Sequence, residues 1–433
     1  MEQRHRAGDR PASPTGALSR GPAGSARGTG GGRRVDSAAR QQSLRQHNLG
    51  LVLREVLDAP TPVSRADIAT TTGLTRATVS ALVDRLLAAG MVSELEPVAS
   101  QKAGRPAVPL APARGTIAAV GMEVNVDYLG VRAVDLAGRV ISERVELGDF
   151  RGSDPAVVLD RLSTLAGGVV ALLSADGVTL VGTALALPGL VDRVTGPLRV
   201  APNLGWRDLD VVGLITRHPV LAGVPPRLAN EANLAARAEA HVRRRSGPSS
   251  FVYVSGEVGI GGAIVLDGRI FGGRHGWSGE IGHTVLGTAG AFDEGGTLER
   301  YAGQDALLDG AGLDRATPVS RLAEVAETGD AAALAALRHG GSALGAALAN
   351  VVNIVDVEHV VLGGIYAQLA PYLRDAVLEQ LDRRVISSPW SSVELSVAEA
   401  GQYPAMTGGA LAVLQAVVDD PGVLVEGEHR VVG

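Results

Sequence analysis

The chain has 433 residues, 45% of them hydrophobic and 20% charged, enough material for two or three folded units. It contains no cysteine, which excludes disulfides, thiolate zinc sites and cysteine nucleophiles. The net charge of −6 conceals an asymmetry: residues 1–115 carry 16 Lys+Arg against 9 Asp+Glu, the remainder 24 against 37. A basic head on an acidic body points to a polyanion as the partner of the head.

Residues 1–42 are rich in Gly, Ala, Ser, Pro and Arg and nearly devoid of large apolar side chains, so a disordered basic tail is expected there. From Ser43 the pattern changes. Leu49, Val52, Leu53, Val56 and Leu57 recur on one helix face, and Pro60 and Pro62 close that helix. Ser64 suits the N-cap of a short helix over 65–72; Gly73 supplies a turn, and Thr75 caps a second helix with Val79, Leu82, Val83, Leu86 and Leu87 on its apolar face. Short helix, glycine turn and longer helix is the helix-turn-helix pattern. Segments 91–95 and 107–110 then read as paired strands around a basic wing, giving a winged helix-turn-helix domain over 43–112.

The body is expected over 115–433, in lobes of about 115–230 and 231–433. Its first part reads as strands over 116–124, 128–135 and 140–147, a helix over 156–174 and a buried strand over 180–187. A second strand-rich start follows at 250–254, 262–266 and 269–271, with helices from Leu298 onward and a late buried strand over 360–362. Two lobes, each opening on a β-meander, suggest a duplicated α/β architecture with a ligand cleft between them. No apolar run approaches the roughly 20 residues needed to cross a bilayer, and no signal-peptide pattern opens the sequence, so a cytoplasmic protein is expected.

On the second head helix, Thr75, Arg76, Thr78, Ser80 and Arg85 lie away from the apolar stripe, where Thr and Ser can meet base edges or phosphates and Arg can take a guanine bidentately. Lys102 and Arg105 in the wing suit phosphates or a minor groove. Asp84 also faces outward and would repel phosphate unless it points along the groove or reads a cytosine amine. In the body, Gly259-Ile260-Gly261-Gly262 fits a tight hairpin as well as a phosphate cradle. Asn230-Glu231-Ala232-Asn233 and Gly279-Glu280-Ile281-Gly282-His283, with Glu299, could serve caps and turns, or could grip a ligand crowded with hydroxyls.

Together with Pro188-Gly189-Leu190-Val191-Asp192, Pro202-Asn203-Leu204-Gly205-Trp206 and Val361-Leu362-Gly363-Gly364, and in this order, these segments resemble the ROK family of repressors and sugar kinases. The helix-turn-helix makes the chain similar to the xylose-repressor and N-acetylglucosamine-repressor branch. The resemblance implies a two-lobed actin-like, hexokinase-like fold in which Gly189, Asn203, Asn230, Glu231, Glu280, His283 and Glu299 contact sugar hydroxyls.

The departures from the family pattern bear on activity. Family kinases place an aspartate as general base where this chain has Glu231, one methylene longer. Their phosphate loops align with Glu123-Val124-Asn125-Val126-Asp127 and with Glu257-Val258-Gly259, which lose a glycine and a hydroxyl and gain negative charge. The family's three zinc cysteines are replaced by Gly290, Phe292 and Thr297, so no metal is expected. The expectation is a homodimeric or higher homo-oligomeric, cofactor-free, non-enzymatic regulator of carbohydrate genes. It would read an inverted-repeat operator in double-stranded DNA and respond to a sugar effector. The alternatives are an ATP-dependent sugar kinase carrying a DNA-binding head, and an architectural DNA binder with a vestigial cleft.

Overall fold

Leu49, Val52, Leu53 and Val56 are buried on one face of α1 (Gly32–Asp58), the first helix of the head. The computed structural model describes residues 32–96, 108–193, 196–287 and 296–425, with side chains from Ser43 onward. The helix begins at Gly32, inside the segment expected to lack structure. The run Ala38-Ala39-Arg40-Gln41-Gln42 consists of good helix formers, which extends the helix upstream of its apolar stripe.

Two short helices follow. α2 (Arg65–Thr72) opens on a reciprocal capping box, in which Ser64 Oγ accepts from the Asp67 N–H at 3.2 Å and the Asp67 carboxylate accepts from the Ser64 N–H at 2.9 Å. It ends at Gly73. α3 (Arg76–Ala88) is capped by Thr75, whose Oγ1 accepts from the Thr78 N–H at 3.2 Å. β1 (Val92–Glu94) then pairs antiparallel with β2 (Leu110–Pro112), Val92 opposite Pro112. The second wing strand therefore lies further along than 107–110. Its place is set by Leu110, which is fully buried and exchanges backbone hydrogen bonds with Val63. Residues 97–107, including Lys102 and Arg105, lie outside the described residues.

The body holds two five-stranded sheets of the same design. In the first, β3 (Ile117–Val124), β4 (Tyr128–Asp135) and β5 (Val140–Leu147) form an antiparallel meander. Across α4 (Pro155–Ala175), β6 (Thr179–Leu187) returns parallel to β3. A small antiparallel sheet of β7 (Leu190–Val191), β8 (Leu198–Ala201) and β9 (Trp206–Leu209) precedes α5 (Val211–Ile215) and α6 (Pro219–Ala222). β10 (Pro226–Asn230) then adds parallel to β6, giving the order β10-β6-β3-β4-β5. After α7 (Glu231–Arg243), the pattern repeats with β11 (Phe251–Gly256), β12 (Ile260–Leu266) and β13 (Arg269–Ile270). Helices α8 (Glu299–Ala302), α9 (Gln304–Gly310), α10 (Val319–Glu327) and α11 (Ala331–Val355) lead to β14 (His359–Gly364), α12 (Ile365–Arg384) and β15 (Glu394–Val397). The second sheet runs β13-β12-β11-β14-β15, with β14 parallel to β11 and β15 parallel to β14. This repeated order and sense is the structural signature of duplication.

After β15 the chain leaves the second lobe. α13 (Pro404–Asp419) returns to pack on β3, β4 and β6 of the first sheet and against α7, followed by α14 (Gly422–Val425) beside α3. The lobe boundary expected at 231–433 therefore misplaces α13. One hydrophobic cluster runs from Leu49, Val52, Val83 and Leu86 of the head, through Ile117 and Val181 of the first sheet, to Val413, Leu414 and Val417 of α13. The described residues from Gln46 onward form one compact unit, so the winged helix from Gln46 belongs to the same unit as both lobes. The helix α4 is, by length and composition, apolar enough to cross a bilayer, unlike the expectation above. In the fold its Val158, Leu159, Leu162, Ala166 and Val169 cover the first sheet.

Candidate functional site

All seven residues expected to contact sugar line one cleft between the two sheets: Gly189, Asn203, Asn230, Glu231, Glu280, His283 and Glu299. Asn230 ends β10 and caps α7, its Oδ1 accepting from the Asn233 N–H at 3.2 Å, while its Nδ2 donates to the Gly189 carbonyl at 3.0 Å. One amide hydrogen of Asn230 and one lone pair remain for a ligand. Gly189 stands at φ 87, where an added Cβ would lie 2.1 Å from the Val200 carbonyl oxygen, so a glycine is required there. Its contribution to the cleft is therefore backbone alone.

Glu231 is the first residue of α7, so its carboxyl projects from a helix N-terminus into the cleft. Glu299 opens α8, and its Oε1 accepts from the Ile260 N–H at 2.8 Å. Glu280 and His283 are brought in by the turn before and within a 3-10 segment, Ile281–His283. That loop is clasped to the first lobe, where Trp277 Nε1 donates to the Val191 carbonyl at 3.1 Å and the Arg193 N–H to the His275 carbonyl at 3.0 Å. Burial raises the Glu280 carboxyl above its ordinary range, with His283 opposing that shift and Glu299 adding to it.

The floor of the cleft holds two side chains that the sugar pattern did not include. Buried Asn125 donates from Nδ2 to Glu257 Oε2 at 2.7 Å, linking the turn after β3 to the turn before β12 across the lobes. Behind this pair a second cavity of about 330 Å³ is lined by Glu123, Tyr128, Glu231, Tyr253, Glu257 and Tyr403, with neither lysine nor arginine in its wall. Glu123 is 2% exposed, and one of its carboxyl oxygens has no hydrogen-bond partner. Burial, then the neighbouring Glu257, push its pKa up to about 8. Glu231 is also raised well above the carboxylate range, first by burial and then by Glu257 and Glu123; burial raises Glu257 too. The acidic departures at 123 and 257 were visible in sequence. Their convergence with Glu231 was not.

On the head, Thr75 and Arg76 are exposed and Thr78, Ser80 and Arg85 partly so, along the face of α3 opposite its core stripe. The Thr75 hydroxyl serves as the cap and lies 2.8 Å from that of Thr78, so both start from an internal hydrogen bond. Asp84, expected to repel phosphate, is paired with Arg65 at 2.9 Å, and Arg65 also holds Glu94 at 2.6 Å. This fork ties α2 to α3 and β1 and neutralises the outward carboxylate.

The model of the ROK family matches residues 160–416, more than half of the chain. The chain belongs to the ROK family. A MarR family model matches residues 50–105, the winged-helix region. The xylose repressor of Bacillus subtilis is 28% identical over 385 residues, covering 88% of this chain and 98% of that protein. The crystal structure of a ROK family transcriptional regulator, described as a homologue of the Escherichia coli MLC protein, matches at a TM-score of 0.73 with 26% identity, over 89% of this chain and 100% of that one. The ROK hexokinase of Thermus thermophilus matches at a TM-score of 0.56 with 27% identity, over 70% of this chain and 99% of the hexokinase. The protein thus combines a MarR-type winged helix with a ROK actin-like domain of sugar-kinase fold. Of the ROK zinc-loop positions, Thr297 pairs with Val285 in an isolated bridge, while Gly290 and Phe292 lie outside the described residues.

Proposed function

We propose that this protein is a sugar-responsive transcriptional repressor whose ROK domain senses its effector without phosphorylating it. The observation that carries this reading is the meeting, in one cleft, of the seven positions expected to face sugar hydroxyls, in a chain that also bears a capped, outward-facing helix of a winged helix. Regulators among its relatives span nearly its whole length, whereas the hexokinase matches 70% of it. A homodimer would present two α3 helices to successive half-sites of an imperfect inverted repeat. Sugar bound between the lobes would favour their closed arrangement and change DNA affinity by its differential affinity for the two states. We place this activity in the cytoplasm, where operator and sugar are both accessible.

The same reading makes the protein a regulator only. Glu123, Glu231 and Glu257 crowd the region where a kinase would seat triphosphate and general base, and any of them that ionises repels phosphate oxygens. Electrophoretic mobility shift with the region upstream of its own gene is the primary test. We expect sequence-specific retardation relieved by one member of a panel of pentoses, hexoses and acetylated hexosamines. Arg76→Ala should weaken operator binding by about tenfold, the scale of one lost bidentate base contact, and leave sugar binding intact. Glu280→Ala should abolish the sugar response and leave DNA binding intact. Operator binding indifferent to every sugar would sink the sensory half of the reading. Steady ADP release with a sugar, lost in Glu231→Gln, would overturn the non-enzymatic half.

A further inference from the structure

A cavity of about 480 Å³, larger than the one behind the cleft floor, lies where the head meets the body. Its walls come from the end of α1, from α7 and α13, from the Leu136-Ala137 turn of the first sheet and from the Asp267-Gly268 turn of the second. Four guanidinium groups converge on it: Arg54 of α1, Arg237 of α7, and Arg244 and Arg245 just beyond α7. His241 joins them, and Asp58 and Asp267 are the carboxylates in the wall.

Three of the four arginines have partners that also join head to body. Arg54 pairs with Asp419 at 3.0 Å, Arg244 with Asp58 at 3.7 Å, and Arg245 donates to the Ala59 carbonyl at 2.8 Å. Arg237 has none: it makes no hydrogen bond or ion pair among the described residues, and Asp419 acts on it only from beyond contact distance. The Arg237 donors are not sealed from solvent, which leaves them open to an acceptor that enters the cavity. The local field is positive as well. Burial, then Arg244 and Arg245, hold the His241 imidazole down at about 4, so it is neutral near pH 7. The cavity is far larger than a lone oxyanion and falls within the range of small-molecule sites.

We propose that this junction is a second effector site for a phosphate-class anion, anchored by Arg237 and completed by Arg54 and Arg244. An anion seated there competes with Asp419 for Arg54 and with Asp58 for Arg244. It thereby exchanges the ion pairs that fix α1 on the body and alters how the head is held for DNA. Planar guanidinium forks match phosphate oxygens bidentately, and the greater charge and three terminal oxygens of a phosphate group can engage more than one fork at once, where a carboxylate offers two oxygens.

The test is titration calorimetry of the full chain at constant ionic strength with sulfate, inorganic phosphate and glucose 6-phosphate, and with glucose as the uncharged control. Saturable binding of the phosphate-bearing titrants is expected, at least tenfold weaker in Arg237→Gln and unchanged in Glu280→Ala, which separates this site from the sugar cleft. Glucose 6-phosphate tenfold tighter than inorganic phosphate assigns the site to a phosphorylated metabolite; equal affinities assign it to the free ion. Should Arg237→Gln fold poorly, Arg54→Gln must show the same loss. No saturable heat from any phosphate-bearing titrant, or undiminished affinity in both variants, overturns the proposal. So does operator binding weakened tenfold by Arg237→Gln without anion, which would give this guanidinium to the DNA backbone. The calorimetry contains no DNA, so its failure leaves the repressor reading standing.

Discussion

At the scale of single residues, the cleft floor is a case of charge being withheld. Glu123 keeps its proton up to about pH 8, whereas an exposed glutamate loses it near 4.5. Between these values the folded chain binds a proton that the unfolded chain has released, so this group makes stability fall as pH rises through that window. Glu123→Gln removes the liability without changing shape. Thermal unfolding should show the variant more stable than the parent, by on the order of a few kcal/mol near pH 8, with the advantage vanishing towards pH 4. A stability difference independent of pH would show that Glu123 is ionised in the native protein. The same scale shows why the residues of the cleft could be grouped from sequence and those of this pocket could not. Gly189, Asn203, Asn230, Glu231, Glu280, His283 and Glu299 sit in or near short sequence motifs that resemble those of the ROK family. Glu123 meets Tyr403 and Glu257 only because the end of β3 and two distant turns converge, and nothing local in the sequence announces that.

At the scale of elements, the helices of the head were readable from caps and period, because Ser64, Gly73 and Thr75 each satisfy a local backbone demand. The wing register escaped, since it depends on Leu110 finding Val63 rather than on alternation within the strand. The place of α13 escaped too. Its apolar pattern fits either lobe, and the choice is made by close approach: a Cβ on Gly408 would fall 1.7 Å from the Leu234 carbonyl oxygen of α7. Gly408→Ala should therefore force α13 and α7 apart and cost about 1–3 kcal/mol or more, measured by chemical denaturation. A neutral result would mean that the two helices are not held at this distance. Loss of the Ser64 cap in Ser64→Ala is milder, about 1 kcal/mol, and should be rescued by Ser64→Asp.

At the scale of the whole molecule, head and body are not beads on a string. Leu53 and Leu86 share a continuous core with Val413 and Val417, and Arg54 and Arg245 reinforce the seam. Native-state hydrogen exchange should accordingly find Val83 and Leu86 of α3 opening with the same free energy as Val120 and Met122 of β3. A separate, easier opening of α3 would show that the seam yields before the fold does. Domain boundaries read from composition alone place a divide near residue 113. The buried surfaces ignore it, because hydrophobic burial recognises proximity in space and not order along the chain.

The return of α13 also bears on how such proteins can be recombined. The helix starts at Pro404 beside the acidic floor of the cleft and ends at Asp419, which holds Arg54 of the head. A recombinant that exchanges winged helices at the junction before β3 would strip α1 of Leu414, Val417 and Val418 and leave an apolar scar on both halves. Working hybrids must transplant α13 with α1, so a new operator specificity is inherited from two distant stretches of the chain at once.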